Sequence, residues 1–335
     1  MKKIKADVIN KLIATTAVLF FLSSILTIMV EADERNVFHA TYQQLLSDIN
    51  QVNQRDEEDD TERDEQQMAY QNGVEAFLSG YYDGFVDKDS YHVETFGKSY
   101  YTASISGHKV ATIETYVYTK MIKFDDGNAV YELISYDENS SYNRTIAQYI
   151  YYEKFTDTVY RRDSTDVTKQ GDRLTANYDE SEGWLMQEAD EFVAEIGVLP
   201  GSNIFEFSEN NLTEESHRVS SGNHDVVLNA DPRSAAQKYR RFINFFSGSS
   251  TMPTVSKLGI RARVNEEGEL KIFRLDEEYR MTMEFSTRSA LEDYLGKNLS
   301  SVIGTIFSPK VNIKAESNIA YNFIQLGGEI DYDVS

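Results

Sequence analysis

The chain has 335 residues, a formal net charge of −22, a pI of about 4.6 and no cysteine. It can form no disulfide, thiolate metal site or cysteine nucleophile, and it carries no cysteine for the lipid modification of a bacterial lipoprotein. Its charge repels nucleic-acid phosphates, and its densest basic pairs, Arg161-Arg162 and Arg240-Arg241, fall far short of a basic footprint, so nucleic acid is excluded as a partner.

The first element is LIATTAVLFFLSSILTIMV, residues 12–30, an uncharged apolar run. As a helix it spans roughly 28 Å, about the hydrocarbon thickness of a bilayer, whereas a secretory h-region is about 7–15 residues long. Lys2, Lys3, Lys5 and Lys11 precede it and Glu31, Asp33 and Glu34 follow, so the positive-inside rule sends everything after Val30 across the membrane. Val30-Glu31-Ala32 also fits a cleavage site, so residues 1–32 are read as a signal peptide or a membrane anchor. The expected location is the cell membrane, single-pass with an extracytoplasmic C-terminal domain, or outside the cell if the leader is cut.

Residues 33–81 read as a helical stalk. Phe38, Tyr42, Leu45, Leu46, Ile49 and Val52 make one apolar stripe, and Met68, Val74, Phe77, Leu78 and Tyr81 make a second. Between them QRDEEDDTERDEQQ is almost wholly charged or amide. As a calcium loop starting at Asp56 it fails, with Thr61 where Gly is needed and Gln67 where Glu is needed. It is read as a solvated, self-repelling spacer, and no metal site is assigned.

From residue 82 to 335 the pattern is that of one extracytoplasmic domain. IETYVYTKMIKF from Ile113, IAQYIYYEKF from Ile146 and LGIRARVNEEGELKIFRLDEEYRMTMEF from Leu258 are dense in β-branched and aromatic residues, with DDGN and NEEG as hairpin turns. VNIKAESNIAYNFIQLGGEIDYD reads as two closing strands. Helices are expected over WLMQEADEFVAEIG, where Trp184, Leu185, Phe192, Val193 and Ile196 share a face and Gly197 ends it, after Asp231-Pro232 as far as Gly248, and through 289–295. The fold class expected is α+β, a large curved antiparallel sheet with a few helices on one face.

No nucleophile elbow, phosphate loop, dinucleotide fingerprint or zinc-protease motif occurs, and no cofactor is implied. HRVSSGNHD holds Ser220, Ser221, His224 and Asp225, but adjacency in sequence is not triad geometry, and the stretch reads as a polar loop. The chain is therefore read as a binding protein rather than an enzyme. The remaining signal is the aromatic load of 22 Tyr and 18 Phe with one Trp. Tyr suits a half-buried pleated surface, and the same rings can line a lipid pocket or stack on a sugar.

In the order of its elements, with strands over 113–124, 146–155 and 258–285, the chain resembles the half-barrel lipoprotein carriers of the LolA and LppX type. That resemblance implies a curved sheet closed by helices around a lipid-binding cavity. It rests on architecture, and it transfers no ligand residue. The ligand-binding candidates, drawn from this chain's own aromatics, are Trp184, Phe192, Phe242, Phe245, Phe246, Tyr149 and Tyr151. The function expected is binding of an apolar or lipid-like ligand in a bacterial envelope, or, as the alternative, docking of another envelope protein or a glycan on exposed aromatics.

Replacing Leu19 and Phe20 with Arg is expected to block export under either reading of the leader, at about 2.5–3.5 kcal/mol for each mid-helix charge. Mass spectrometry of the exported protein then separates the two readings. A chain starting at Asp33 identifies a cleaved leader, and a retained 1–32 identifies the anchor.

Overall fold

A computed structural model describes residues 70–137, 145–170, 173–179, 183–247, 249–295, 309–332 and 334. The apolar segment 12–30, the stalk to residue 69 and the acidic spacer lie outside the described residues. Among the described residues no helix is long and apolar enough to cross a membrane.

Chain order begins with helix α1 (Gly73–Tyr81) and a π-helical turn (Tyr82–Val86). Strands β1 (Tyr91–Ile105), β2 (His108–Lys123), β3 (Ala129–Asp137), β4 (Thr145–Glu153) and β5 (Thr158–Ser164) follow, then a small hairpin of β6 (Asp166–Gln170) and β7 (Arg173–Asn177). Next come β8 (Leu185–Glu188), α2 (Ala189–Ile196), β9 (Leu212–Ser220) and β10 (Asn223–Ala230). Two adjoining helices, α3 (Pro232–Ala235) and α4 (Gln237–Ser247), lead to β11 (Thr254–Val264), β12 (Leu270–Glu284), α5 (Arg288–Leu295) and β13 (Lys310–Leu326).

Eleven of these strands form one antiparallel sheet in the order β8-β5-β4-β3-β2-β1-β13-β12-β11-β10-β9. It is two meanders joined along one seam. The seam is the pairing of β1 with β13, from Tyr91 opposite Leu326 to Ser104 opposite Asn312.

The α+β class expected from the sequence is corrected. Among the described residues strand accounts for 56% and helix for 18%, so the described part of the chain is mainly β. The expectation failed where strands carry no apolar alternation. β9, LTEESHRVS, exposes nearly every side chain because it is an edge strand, and charge there discourages pairing with another chain. The loop-like HRVSSGNHD is thus a hairpin, with Ser221 and Gly222 both at positive φ in its two-residue turn. The helix expected over 184–197 is half strand. Leu185–Glu188 pairs with β5, and only Ala189–Ile196 is helical, ended by left-handed Gly197. The two closing strands are one, β13. The imperfect alternation of β12 has a cause as well. Its register with β11 slips between Leu270 and Ile272, and beyond this bulge Phe273, Leu275, Glu277 and Tyr279 share one face.

That inner face carries the helices. Phe77 and Tyr81 of α1 are fully buried with Phe207 and Phe273, so the end of the segment read as stalk packs into the domain's largest apolar cluster. Asn72 caps α1 by accepting from Glu75 N, and Gly73 N donates to Glu214 of β9. α1 lies so close to the sheet that a Cβ at Gly80 would stand 2.8 Å from Val264 Cγ2. Glycine is needed here for space.

Gly80→Ala, which in an exposed helix would stabilise by about 1 kcal/mol, is expected instead to destabilise by about 1–3 kcal/mol through overpacking. Phe77→Ala should cost about 3–5 kcal/mol. Urea denaturation of the two variants measures both. A stabilised Gly80→Ala would show that α1 is not seated as described.

Candidate functional site

Between the inner face and α4 lies an apolar cavity of about 100 Å³. By order of size it belongs with engineered cavities of about 150 Å³ that stay dry and take benzene. Its floor comes from both meanders and includes Gly97 of β1, Val117 of β2 and Ile319 of β13, and its roof includes Phe242, Ile243 and Phe246 of α4. Gly97 pairs with Val117 on one side and Ile319 on the other and puts no side chain between them. On β2, Ile113 and Thr115 are fully buried, whereas Val117, Thr119 and Met121 on the same face are only half-buried. A second void of about 30 Å³ lies under α2, lined by Phe192 and sharing Met121, Tyr131, Phe242 and Phe246 with the first. A larger hollow of about 460 Å³ near Arg280 and Lys314 has mostly polar walls.

One row of the sheet is polar, and its Glu277, Ser317 and Ser99 line the cavity floor. Glu277 of β12 stands opposite Ser317, Ser317 opposite Ser99, Ser99 opposite Thr115 and Thr115 opposite Asp137. All five side chains are buried. Ser99 Oγ donates to Ser317 Oγ at 2.9 Å, and Thr115 Oγ1 donates to Asp137 Oδ1 at 2.5 Å. Tyr239 of α4 closes the other end, its hydroxyl donating to Glu277 Oε1 at 2.7 Å. Glu277 Oε2 has no hydrogen-bond partner among the described residues. Burial pushes this carboxyl up to about 7, against the lowering influence of the Tyr239 and Ser317 hydroxyls.

The candidate aromatics fall on two opposite faces. Phe242 and Phe246 line the cavity, Phe192 lines the smaller void, and Phe245 packs edge-on against Phe246 beside the Arg161 guanidinium. Tyr149, Tyr151 and Trp184 are on the outer face, in a cluster with Tyr178, Ile330 and Tyr332. There the Arg162 guanidinium lies 3.7 Å from the Trp184 ring centre. The two groups are not brought together, because Tyr149 and Tyr151 alternate on β4 with the inward-facing Ile150.

Sequence reading missed Glu277, Tyr239, Ser317 and Gly97. A signal existed only for Glu277, an acid in step with Leu275, Tyr279, Met281 and Met283, and the upstream bulge concealed that step. His217 Nε2 and His224 Nδ1 lie 3.0 Å apart, while Asp225 is held by Arg263 Nε at 2.7 Å. His224 and Asp225, adjacent on β10, therefore face opposite sides of the sheet. Among the described residues no group of three His, Asp or Glu is placed to hold a metal.

No protein-family model and no curated protein matches this chain. Among solved structures, it is similar to the crystal structure of a DUF1329 family protein from Desulfovibrio piger, at 8% identity and a TM-score of 0.22, over 78% of this chain and 93% of that one. A likeness of that degree supports no argument about fold or function.

Because Glu277 keeps its proton to about pH 7 when folded, against 4.5 for an ordinary Glu, the folded state binds the extra proton between these values. Its contribution is fully favourable below pH 4.5 and is lost as pH rises through 7, a change of about 3 kcal/mol. Glu277→Gln should flatten this slope and be more stable than the wild type at about pH 8. Denaturant titrations on either side of neutrality test it, and an unchanged slope would show that Glu277 ionises normally.

Proposed function

We propose that the protein is an exported, non-catalytic binding protein of the bacterial envelope, and that it holds an apolar or lipid-like ligand between the inner sheet face and α4. The reading rests on the cavity. Half-buried Val117, Thr119 and Met121 face Phe242 and Phe246 across space that no described side chain fills. Empty apolar volume costs stability, by about 24 cal/mol for each Å³ in cavity-forming substitutions, so a ligand that fills it recovers contacts the chain forgoes. The segment 12–30 would deliver the domain across the membrane and, if retained, tether it there. The architecture supporting the half-barrel carrier comparison is this layering of helices on one face of a single antiparallel sheet.

The alternative, docking of an envelope protein or glycan, draws support from the exposed apolar side chains Phe155, Leu185 and Met186 around edge strand β8. The outer-face aromatics named from the sequence are mostly packed against one another. Of the two readings, the cavity is the stronger.

Titration calorimetry with linear alcohols of increasing length is the direct test. Affinity should rise by about 0.8 kcal/mol per methylene until the cavity is full, and then level off. Val117→Phe, which places a ring on the floor, should weaken binding about tenfold or more while the fold survives. No alcohol binding by the wild type, or equal binding by Val117→Phe, would place the ligand elsewhere and leave the surface-docking reading.

A further inference from the structure

The cavity's one ionisable carboxyl points to the ligand's chemistry. Among the described residues lining it, Glu277 alone can carry a full charge at neutral pH, and no Lys, Arg or His is there to neutralise it. A buried carboxylate without a counter-ion is costly, and an unmatched acceptor inside a dry cavity costs more than one at a surface. Glu277 has one oxygen satisfied by Tyr239 and the other free among the described residues. The groups facing it are aromatic and hydroxylic. Tyr239 comes from α4, Tyr279 from its own strand, Tyr101 from β1 and Tyr321 from β13, while Leu258 is its partner on β11. Asp137, at the far end of the polar row, is a second acid. The Tyr101, Tyr239, Tyr279 and Tyr321 hydroxyls are all held protonated by burial first of all, so they add no charge of their own.

Aromatic rings beside a carboxylate make a receptor for an organic cation, because a ring face attracts the ammonium electrostatically while the carboxylate balances its charge. We infer that the cavity between α4 and the inner sheet face selects an amphiphilic ammonium compound, its cationic head on Glu277 Oε2 among these tyrosine rings and its alkyl part against Val117, Ile319 and Phe242. The inference rests on the proposed apolar-ligand function and specifies the head group. An anionic amphiphile would meet Glu277 as a like charge. A neutral alcohol would donate a hydrogen bond without balancing the carboxylate. The chain's net charge of −22 also draws cations toward the protein over longer distances.

Hexylammonium, hexanol and hexanoate share one alkyl chain and differ in the head, so calorimetric titration of the full chain in detergent with each isolates the head group. Hexylammonium should bind about tenfold or more tightly than hexanol, and hexanoate most weakly. Ammonium affinity should rise about tenfold between about pH 5.5 and about pH 8 as the carboxyl ionises, while hexanol affinity stays flat. Glu277→Gln should erase the ammonium preference over hexanol and its pH dependence. If this variant fails to fold, the wild-type pH profile decides alone. Binding of hexanol as tight as hexylammonium, or an ammonium affinity indifferent to pH, would overturn the inference and leave the apolar-ligand function standing. Failure of all three probes to bind would remove both.

Discussion

The pairing of β1 with β13 is the constraint on which the molecule depends. Each meander is built from neighbours in sequence, but the seam joins residues more than two hundred positions apart, Ser99 to Ser317 among them. Such a contact brings a large loop-closure cost that local pairing does not, and the gain that offsets it is the burial of a continuous inner face. The cavity exists only once the seam is made. Gly97 and Val117 belong to one meander, and Glu277, Ile319 and Tyr321 to the other. Without the seam neither half has a floor to present to α4.

Polar groups in that floor are arranged so that most satisfy one another. The row from Ser317 to Asp137 has hydroxyl-to-hydroxyl and hydroxyl-to-carboxylate bonds across paired strands, and Thr95 and Thr119, four residues further along their strands, make a similar bond at 2.6 Å. Glu277 departs from this pattern, with a carboxyl half matched by Tyr239 and a raised pKa. Among the described residues lining the cavity, Glu277 Oε2 is the buried polar side-chain atom left without a partner, and an unmatched group in such a place is where function is sought.

The outer face has a different logic. Glu132 accepts from Lys120 Nζ at 2.9 Å and from the Tyr178 hydroxyl at 3.0 Å, so its buried carboxylate has both a counter-ion and a donor. Tyr149, Tyr178 and Trp184 pack above it, with Arg162 over the indole. This is a closed polar and aromatic cover, extended by Ile330 and Tyr332 from beyond β13. Two buried glutamates therefore differ in kind. Glu132 is paired, and Glu277 has one oxygen unmatched among the described residues.

Local sequence by itself determined the hairpin turns, the caps and the long strands. Gly127 and Gly268 supply the positive φ their turns require, Asp231 and Pro232 open a helix, and Gly197 ends one, all through interactions within a few residues. The absence of cysteine likewise excluded thiol chemistry. Tertiary structure alone decided that polar β9 is a strand, since an exposed edge needs no apolar alternation, and that 310–326 is a single strand reaching across both β1 and β12. It also decided that Phe242 and Tyr149 lie on opposite faces, and that Glu277 meets Tyr239 beneath α4. Those facts turn on register and on contacts across the seam, and a one-residue shift in register moves every side chain of a strand to the other face.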